Sequence, residues 1–274
     1  MKNPYESYPA TITKIILDAP DTRGFTLKFK DRKRQANFGF IPGQFIVVGL
    51  PGIGEIPVGI NSSTTEKKFV QITVRGVGKV SRAIQQKTVG STLFIRGPYG
   101  NGWPMKEIEK RDLLVIAGGL GIIPLKPLID EACRKDWGRQ NQVQVFYGSR
   151  NFKNLLFESQ YKKWCTFHDT QIVLDMAGPR WHGEVGNITD LLAKHSTPKG
   201  AIVTVCGPPI MYKYVIPKLL EKGYKPEDIY LSLERKMYCT IGVCEHCAIG
   251  EKYVCKDGPV FSLAEIREMP EALE

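Results

Sequence analysis

Short hydrophobic runs separated by turn signals make up most of the first hundred residues. The runs contain alternating or wholly apolar residues, and turn-forming pairs such as Pro42-Gly43 and Pro51-Gly52 lie between them. Strands are predicted at residues 10–17, 25–29, 44–50, 69–75 and 92–96. Several short strands at this spacing indicate an antiparallel barrel or sandwich, which we assign to residues 1–104.

From Asp112 the pattern changes to strands that alternate with helices. Residues 113–117 form a wholly apolar run, and the helix that follows is expected to stop at Gly138. Its apolar positions have helical spacing: Leu125, Leu128, Ile129, Ala132 and Cys133. Further strands are predicted at 143–147, 171–174, 201–205 and 229–233, and further helices near 189–194 and 210–221, the last kinked at Pro217. This alternation predicts a parallel α/β sheet, which we assign to residues 105–233.

The composition is that of a globular chain. Its 274 residues leave room for two domains and a small third one, and 42% hydrophobic with 24% charged residues exclude wholesale disorder. The longest nearly apolar run, 113–125, contains glycines and a proline and is shorter than the roughly 20 residues that cross a bilayer. The first residues lack the apolar core of a signal peptide. We therefore expect no membrane span and a cytoplasmic protein.

The chain is basic, with a formal net charge of +10 and an isoelectric point near 9.2. Such a charge favours acidic partners, and nucleic acid is one class of them. Lysine and arginine are nevertheless spread along the chain, and the basic cluster at 30–34 (KDRKR) is interpreted as a solvated turn between strands. We therefore expect no nucleic acid and favour an acidic redox protein or a partner subunit.

Four of the seven cysteines lie close together near the C-terminus. They are Cys239, Cys244, Cys247 and Cys255, with four, two and seven residues between them. The opening C-x4-C-x2-C is the plant-ferredoxin spacing for a [2Fe–2S] cluster, and Gly242 allows the loop to turn so that backbone N–H groups reach the sulfurs. A structural zinc site is the alternative, but zinc ribbons usually present two CxxC pairs. His246 also lies in this loop, but four cysteines complete a ligand set without it.

A glycine turn follows the first strand of the α/β part. Gly118, Gly119 and Gly121 end the strand, and Ile122 opens the helix. Glycines allow a tight turn and a close approach of a dinucleotide, whose pyrophosphate is attracted to the N–H groups of the helix. The motif is not a strict GxGxxG, so an ordinary glycine turn is the alternative.

Two later strand ends support a nucleotide site at the same edge of the sheet. Gly148, Ser149 and Arg150 stand where an acid would bind a free ribose 2′-hydroxyl, and arginine suits a 2′-phosphate, which favours NADP. A solvated loop charge is the alternative for Arg150. Cys206, Gly207 and Pro208 end another strand, so Cys206 faces the crevice or is an inert core residue.

In the β part, Arg75 is followed by a Gly-Val-Gly turn and by Lys79, Val80 and Ser81. The cations and exposed amides form a candidate phosphate cradle, and an ordinary strand-to-helix turn is the alternative.

Taken together, the order of these parts resembles the ferredoxin–NADP reductase superfamily. The similar branch contains the electron-transfer subunits of anaerobic sulfite reductases and of dihydroorotate dehydrogenase, and the γ subunits of sulfhydrogenases. The resemblance extends over residues 3–255. Its most specific motifs are RGPYGNGWP at 96–104, GGLG at 118–121, LLF at 155–157, CGPP at 206–209 and LERKM at 233–237.

The resemblance implies FAD in an antiparallel barrel, NAD(P)H on the parallel sheet and a [2Fe–2S] cluster in a small lobe at 234–274 that faces a partner. Carried over by position, the residues flanking the isoalloxazine are Pro57, Val58, Gly59 and Ile60. Those near the ribityl and phosphate region are Thr73, Val74 and Arg75, and those near the pyrophosphate are Gly78, Lys79, Val80 and Ser81. Relatives usually have serine at Gly59 and a small residue at Glu245, so flavin contact is expected to depend on the backbone or on Asn61 and Ser62.

The implied activity is electron transfer between NAD(P)H and the catalytic and iron–sulfur subunits of a sulfite reductase or hydrogenase, with no protein acid, base or nucleophile required. One alternative is the electron-transfer subunit of a dihydroorotate dehydrogenase, and another is a stand-alone reductase for a ferredoxin. A remote alternative is a zinc-stapled nucleic-acid-binding module, which leaves the nucleotide loops unexplained.

Overall fold

A computed structural model of the protein describes residues 3–135, 137, 141–179 and 181–273. Gly138, the predicted end of a helix, lies outside the described residues. The N-terminal part is an antiparallel sheet with strand order β4-β3-β6-β1-β2-β5. Its strands are β1 (Tyr8–Ala19), β2 (Thr22–Phe29), β3 (Phe45–Leu50), β4 (Gly54–Gly59), β5 (Val70–Arg75) and β6 (Thr92–Tyr99).

This antiparallel sheet closes into a barrel. A bridge between Ile60 and Ile72 joins the chain after β4 to β5, which are the two outer strands of the sheet. The interior is filled by apolar side chains, including Phe25, Ile46 and Ile95. The helix α2 (Lys79–Gln85) follows β5. Of the two architectures open from the sequence, the structure is therefore the barrel.

The basic cluster at 30–34 is solvated as predicted, with Lys30, Arg32 and Lys33 exposed, but the prediction of a turn was wrong, because a helix begins there. Helix α1 (Arg32–Asn37) begins there because the Asp31 carboxylate accepts hydrogen bonds from the N–H groups of Lys33 and Arg34, at 2.7 and 3.0 Å. The Arg34 guanidinium lies over the ring of Tyr8, 4.5 Å from its centroid. Arg34, the last residue of this basic cluster, therefore packs against the barrel.

The second part is a mostly parallel sheet with strand order β10-β9-β8-β7-β11-β12-β15. Its strands are β7 (Leu113–Gly118), β8 (Val143–Ser149), β9 (Asp169–Leu174), β10 (Glu184–Val185), β11 (Ile202–Cys206), β12 (Ile229–Ser232) and β15 (Val260–Ser262). Around it lie α3 (Met105–Ile108), α4 (Ile122–Arg134), α5 (Glu158–Phe167), α6 (Ile188–Lys194), α7 (Pro209–Glu221) and α8 (Leu263–Ile266). Apolar clusters fill both faces of the sheet.

Helix α4 is stabilised by burial of the apolar face that its sequence spacing predicts. Leu125, Leu128 and Ile129 on this face are fully buried against the sheet. It begins at Ile122, after a 3-10 turn at Gly119–Gly121. Helix α7 continues through Pro217.

The C-terminal lobe is attached to the parallel sheet. It contains the short hairpin β13 (Ala248–Ile249) and β14 (Lys252–Tyr253), and then β15 pairs antiparallel with β12. Ile249 and Val254 are buried in the cluster that covers one face of the sheet. The lobe is therefore held by the same apolar core as the parallel-sheet part. Among the helices that the structure describes, none has the length and apolarity needed to cross a membrane.

Candidate functional site

The carboxyl ends of β7, β8 and β11 surround a cavity of about 840 Å³. Most of the predicted nucleotide-binding residues line it: Gly118, Gly119, Gly121, Gly148, Ser149, Arg150, Cys206, Gly207 and Pro208. Ile122 is the exception, since its side chain is fully buried in the core between α4 and the sheet. Three separate strand ends thus meet at one edge, as they do around ligand sites in parallel α/β sheets.

Glycine is required in this loop because the chain approaches its neighbour closely. A Cβ on Gly121 would overlap the carbonyl oxygen of Cys206, and one on Gly118 would lie 2.6 Å from Sδ of Met211. Gly119 has φ +53, which favours glycine. The glycine turn is thereby pressed against the end of β11, and the N-terminus of α4 opens toward the cavity.

Two carboxylates in this cavity were missed by sequence reasoning. Asp175 follows β9 and Glu234 follows β12 after one residue, so both end strands at the same edge of the sheet, which is the signal that locates them. Burial raises the pKa of Asp175, and the positive charge of Arg150 opposes that rise. The side chain of Glu234 is exposed to the cavity, but partial desolvation by the surrounding protein raises its pKa as well. The cavity therefore presents both signs of charge to a nucleotide.

Cys206 is both a cavity residue and a core residue. Its side chain is almost fully buried, and burial raises the pKa of its thiol well above the ordinary range. The neighbouring Tyr212 hydroxyl donates a 2.6 Å hydrogen bond to the carbonyl of Ser232, which also accepts a weak contact from Sγ of Cys206 at 3.9 Å. Cys206 is therefore a neutral thiol that shapes the cavity wall.

The residues carried over to the flavin face two directions, because side chains alternate along a strand. Val58, Ile60 and Val74 are buried in the barrel core, so only their backbone is available to a flavin. Pro57 and Gly59 are on the opposite side of β4. A Cβ on Gly59 would contact Ile123 at an ordinary 3.4 Å, so space alone does not require glycine.

Polar atoms after β4 test whether the barrel fits FAD. Within the described residues, Oδ1 of Asn61 and Oγ of Ser62 are buried and have no hydrogen-bond partner. Nδ2 of Asn61 donates to Thr73 Oγ1 at 2.7 Å, and Thr73 donates to Asp18 at 3.2 Å. An orphaned buried polar atom costs about 1–3 kcal/mol. The hydroxyl and amide groups of a flavin are suitable partners, so these residues fit FAD.

The turn before α2 has two exposed cations and a capped helix. The Ser81 hydroxyl accepts hydrogen bonds from the N–H groups of Val77 and Gly78, at 3.1 and 2.8 Å, so it is already used within the protein. Arg75 and Lys79 are exposed, and Val80 is half-buried. Arg75 pairs with Asp21 at 2.7 Å and also lines the nucleotide cavity. Arg75 uses its Nε for Asp21, which leaves its Nη groups and the ammonium of Lys79 as candidate donors to phosphate groups.

The four cysteines lie in two pairs. Sγ of Cys239 accepts a hydrogen bond from the N–H of Cys244 at 3.4 Å, and Sγ of Cys247 accepts one from the N–H of Cys255 at 3.5 Å. Among the described residues, no group of three or more His, Cys, Asp or Glu side chains is arranged around one metal ion. A two-iron cluster takes two thiolates at each iron, so a donor set of two pairs fits it.

Backbone N–H groups surround the first pair. Sγ of Cys239 accepts from the N–H groups of Val243 and Cys244, at 3.3 and 3.4 Å. Burial raises the pKa of Cys239, but these N–H groups outweigh it and leave the pKa below its ordinary value. Hydrogen bonds from the backbone, that of Cys239 first, lower the pKa of Cys244 to about 7. These two cysteines thus favour the thiolate form that metals bind, whereas burial raises the pKa of Cys255 to about 12.

The turn itself depends on residues in the left-handed region. Gly242 has φ +74, as expected for the predicted loop glycine, and Thr240 and Glu245 also have positive φ. His246 is exposed, with Nδ1 2.8 Å from the carbonyl of Cys244 and its ring against Tyr238. The structure therefore places His246 as a loop residue and not among the thiols.

Family models match three consecutive parts of the chain. The oxidoreductase FAD-binding domain matches residues 9–103 and the oxidoreductase NAD-binding domain matches residues 115–216. The iron-sulfur cluster binding domain of dihydroorotate dehydrogenase B matches residues 234–267.

Curated proteins and solved structures agree with these matches. The sulfhydrogenase 2 subunit gamma of Pyrococcus furiosus is 37% identical over 280 residues, which cover 95% of this chain and 96% of that protein. A probable dihydroorotate dehydrogenase B (NAD(+)), electron transfer subunit, of Thermoplasma volcanium is 34% identical over 230 residues, covering 84% of this chain and 82% of that protein. A chain of the NADH-dependent reduced ferredoxin-NADP oxidoreductase has a TM-score of 0.78 at 28% identity, covering 96% of this chain and 92% of that one. The chain belongs to the family of iron–sulfur flavoprotein electron-transfer subunits within the ferredoxin–NADP reductase superfamily.

Proposed function

We propose that this chain is the diaphorase-like subunit of a larger redox complex. It carries electrons between NAD(P)H and a partner catalytic subunit of the sulfite reductase or hydrogenase type, through FAD and a [2Fe–2S] cluster. One observation carries the proposal: the barrel contacts both other sites, since Arg75 of β5 lines the nucleotide cavity and Arg96 of β6 binds the cysteine loop. The barrel thus contacts both the nucleotide cavity and the cysteine loop within one chain.

The chemistry explains why three groups are needed. A nicotinamide gives up two electrons as hydride and an iron–sulfur cluster accepts one at a time, and FAD supplies the conversion between the two when it is bound. The chain's own residues bind these groups, orient them and exclude water. No residue is assigned as an acid, base or nucleophile.

For the nucleotide, the backbone of Gly118–Gly121 and the start of α4 would hold the pyrophosphate. Ser149 and Arg150 would contact the adenosine ribose, and the wall at Cys206–Pro208 would face the nicotinamide. Asp175 lies beside Arg150 in this cavity, so the choice between NAD and NADP depends on both residues.

For FAD, the backbone of residues 57–60 and the polar groups of Asn61 and Ser62 would bind the ring system and the ribityl chain. Thr73 supports Asn61, and Arg75 and Lys79 would bind phosphate. For the cluster, Cys239, Cys244, Cys247 and Cys255 would be the ligands.

The named relatives support a protein partner, because they are subunits of multi-subunit enzymes. The net charge of +10 favours an acidic face on that partner, or an acidic ferredoxin. We expect the complex to work in the cytoplasm.

Anaerobic reconstitution tests the proposal. The full chain, loaded with FAD, ferrous iron and sulfide, is expected to reduce an artificial dye with NADH or NADPH and to contain two irons and two sulfides per chain. A colourless protein, or one that is inactive with both nucleotides, would contradict the proposal. Metal analysis that finds zinc instead of iron would support the zinc-stapled module.

A dihydroorotate dehydrogenase type of partner is the second candidate. It is favoured by the match of residues 234–267 to the iron–sulfur domain of that enzyme. Anaerobic purification from the native cells distinguishes the candidates, because the stoichiometric partner is expected to be a sulfite reductase or hydrogenase subunit in one case and a dihydroorotate-oxidising subunit in the other. A chain that purifies alone would support the stand-alone ferredoxin reductase.

A further inference from the structure

The guanidinium of Arg96 lies between the barrel and the cysteine loop. Nη2 donates a hydrogen bond to the carbonyl of Tyr238 at 3.1 Å, and Nη1 donates to the carbonyl of Cys239 at 3.2 Å and to the hydroxyl of Thr240. The Arg96 side chain is only 3% exposed. A buried cation from strand β6 therefore contacts three consecutive residues around the first cluster ligand.

Glu55 on strand β4 pairs with the same guanidinium. Nε of Arg96 donates to one carboxylate oxygen at 3.0 Å, and Nη2 donates to the other. Burial opposes the charged form of Arg96, but Glu55 and Tyr99 outweigh it, so the pKa of Arg96 lies above its ordinary value. A guanidinium stays protonated in proteins whatever its surroundings, so the positive charge is permanent, and the half-exposed Glu55 offsets only part of it.

Thr240 depends on this contact for its conformation. It has φ +64, which is rare for a β-branched residue. Its hydroxyl accepts from Arg96 and donates to the carbonyl of Cys239, so both hydrogen bonds hold the turn that presents Cys239.

A second anchor from the same segment holds the other end of the lobe. Nδ2 of Asn101 donates to the carbonyls of Asp257 and Val260, at 2.9 and 2.7 Å, and its Oδ1 accepts from the N–H of Val260. Asn101 carries no charge. Residues 96–101 therefore hold the lobe at two points, of which only Arg96 is charged.

We propose that Arg96 is a positioning residue for the cluster: it holds the Cys239 turn against the barrel and raises the reduction potential of the cluster, and Glu55 partly offsets this effect. The inference rests on the proposed cluster site. Taking up one electron adds one negative charge to the cluster, and a nearby fixed cation favours that charge. Removal of the cation is expected to lower the potential, and removal of the Glu55 carboxylate is expected to raise it.

Redox titration of the anaerobically reconstituted full chain tests this, with the EPR signal of the cluster as the readout. Arg96→Gln is expected to give a more negative midpoint potential than the unsubstituted chain, and Glu55→Gln a more positive one. Arg96→Lys keeps the charge and loses the planar fork, so its potential is expected to lie closer to that of the unsubstituted chain than the potential of Arg96→Gln does. Opposite shifts are the signature of an electrostatic effect, since loosening of the loop has no reason to change sign.

Two variants serve as controls. Asn101→Ala loosens the other anchor without a change of charge, and Arg111→Gln removes a distant arginine that also pairs with a carboxylate, Asp228 at 2.6 Å. Both are expected to leave the potential unchanged. If Arg96→Gln does not retain iron, the midpoint potentials of Glu55→Gln and Arg96→Lys test the proposal instead.

Each failure has its own meaning. An unsubstituted chain without iron and sulfide refutes the proposed function. A normal cluster whose potential is the same in Glu55→Gln, or moves in the same direction in Glu55→Gln and Arg96→Gln, overturns the role of Arg96 alone. A shift in Asn101→Ala equal to that in Arg96→Gln also overturns it, since the effect is then mechanical.

Discussion

The ammonium of Lys126 on α4 donates a 3.0 Å hydrogen bond to the carbonyl of Asn61 in the barrel. The same group pairs with Asp130 one helical turn later, at 2.6 Å, and both side chains are nearly buried. Asn61 belongs to the proposed flavin site, so this contact holds α4 in position relative to that site. The contact is a polar link between the two larger parts of the protein.

Lys126→Met is expected to destabilise the protein by about 3–5 kcal/mol, because the buried Asp130 carboxylate loses its cation. Urea unfolding of the purified chain measures the change. Lys163→Met is the matched control, since Lys163 is 3.9 Å from Asp130 and half-exposed, and about 0–1 kcal/mol is expected there. Equal losses in the two variants would contradict the assigned burial of the Lys126 pair.

The choice of nucleotide is expected to depend on Arg150 and Asp175. Asp175→Asn removes a negative charge from the cavity that receives the adenosine ribose, so the ratio of kcat/KM for NADPH to that for NADH is expected to rise about tenfold, equivalent to about 1.4 kcal/mol. Arg150→Gln is expected to lower the same ratio. Steady-state dye reduction with each nucleotide measures both, and a ratio unchanged in the two variants would place the 2′-position elsewhere.

Gly121→Ala is expected to destabilise the protein by roughly 1–3 kcal/mol and to raise KM for the nucleotide, because its Cβ overlaps the backbone of Cys206. Thermal unfolding and dye-reduction kinetics measure the two effects. Gly178→Ala is the control, since a Cβ there meets no atom within 4 Å and a change within about 0.5 kcal/mol is expected. A normal KM in Gly121→Ala would show that the loop has room to move.

Stability is expected to fall on mild acidification because of His168. This side chain is buried, 3.1 Å from Sγ of Cys133, and burial lowers its pKa below the ordinary 6.5, although hydrogen bonds with the backbone of Ile129 and Phe167 oppose that shift. The unfolded chain therefore binds a proton as pH falls through 6.5 while the folded chain does not, so stability is lost below 6.5 until the folded pKa is reached.

Unfolding measured between about pH 5.5 and pH 7.5 checks this slope, which is expected to flatten in His168→Gln. His182→Gln replaces an exposed histidine and is expected to keep the slope. A slope that persists in His168→Gln would assign it to other groups.

Much of the fold was predictable because its signals are local. The periodic runs located most strands of the barrel and of the parallel sheet, and the helices predicted near 189–194 and 210–221 are α6 and α7. Strand β4 was missed, because Pro57 and its glycines are poor strand formers and β4 is an outer strand. Helix α5 was missed as well, since Trp164 is its only buried residue among those described.

The site was predictable to the extent that its chemistry depends on residue type and spacing. The glycine turn and the four cysteines are recognisable in this way. Asp175 and Glu234 could be assigned to the site only from the structure, which shows that the ends of their strands lie side by side. Val58 and Ile60 were assigned by position in a motif, and the phase of the strand then turned their side chains into the core.

The sequence by itself determined the cysteine donor atoms and the helical and strand periodicities of the apolar residues. It also determined the order of the barrel, the parallel sheet and the cysteine lobe along the chain. Tertiary structure alone decided that Arg96 meets Cys239, 143 residues later, and that β15 of the terminal lobe joins the parallel sheet. The physical reason is that periodicity and ligand spacing are properties of neighbouring residues. Contacts between distant segments depend on which buried surfaces pack together, and no local pattern specifies that packing.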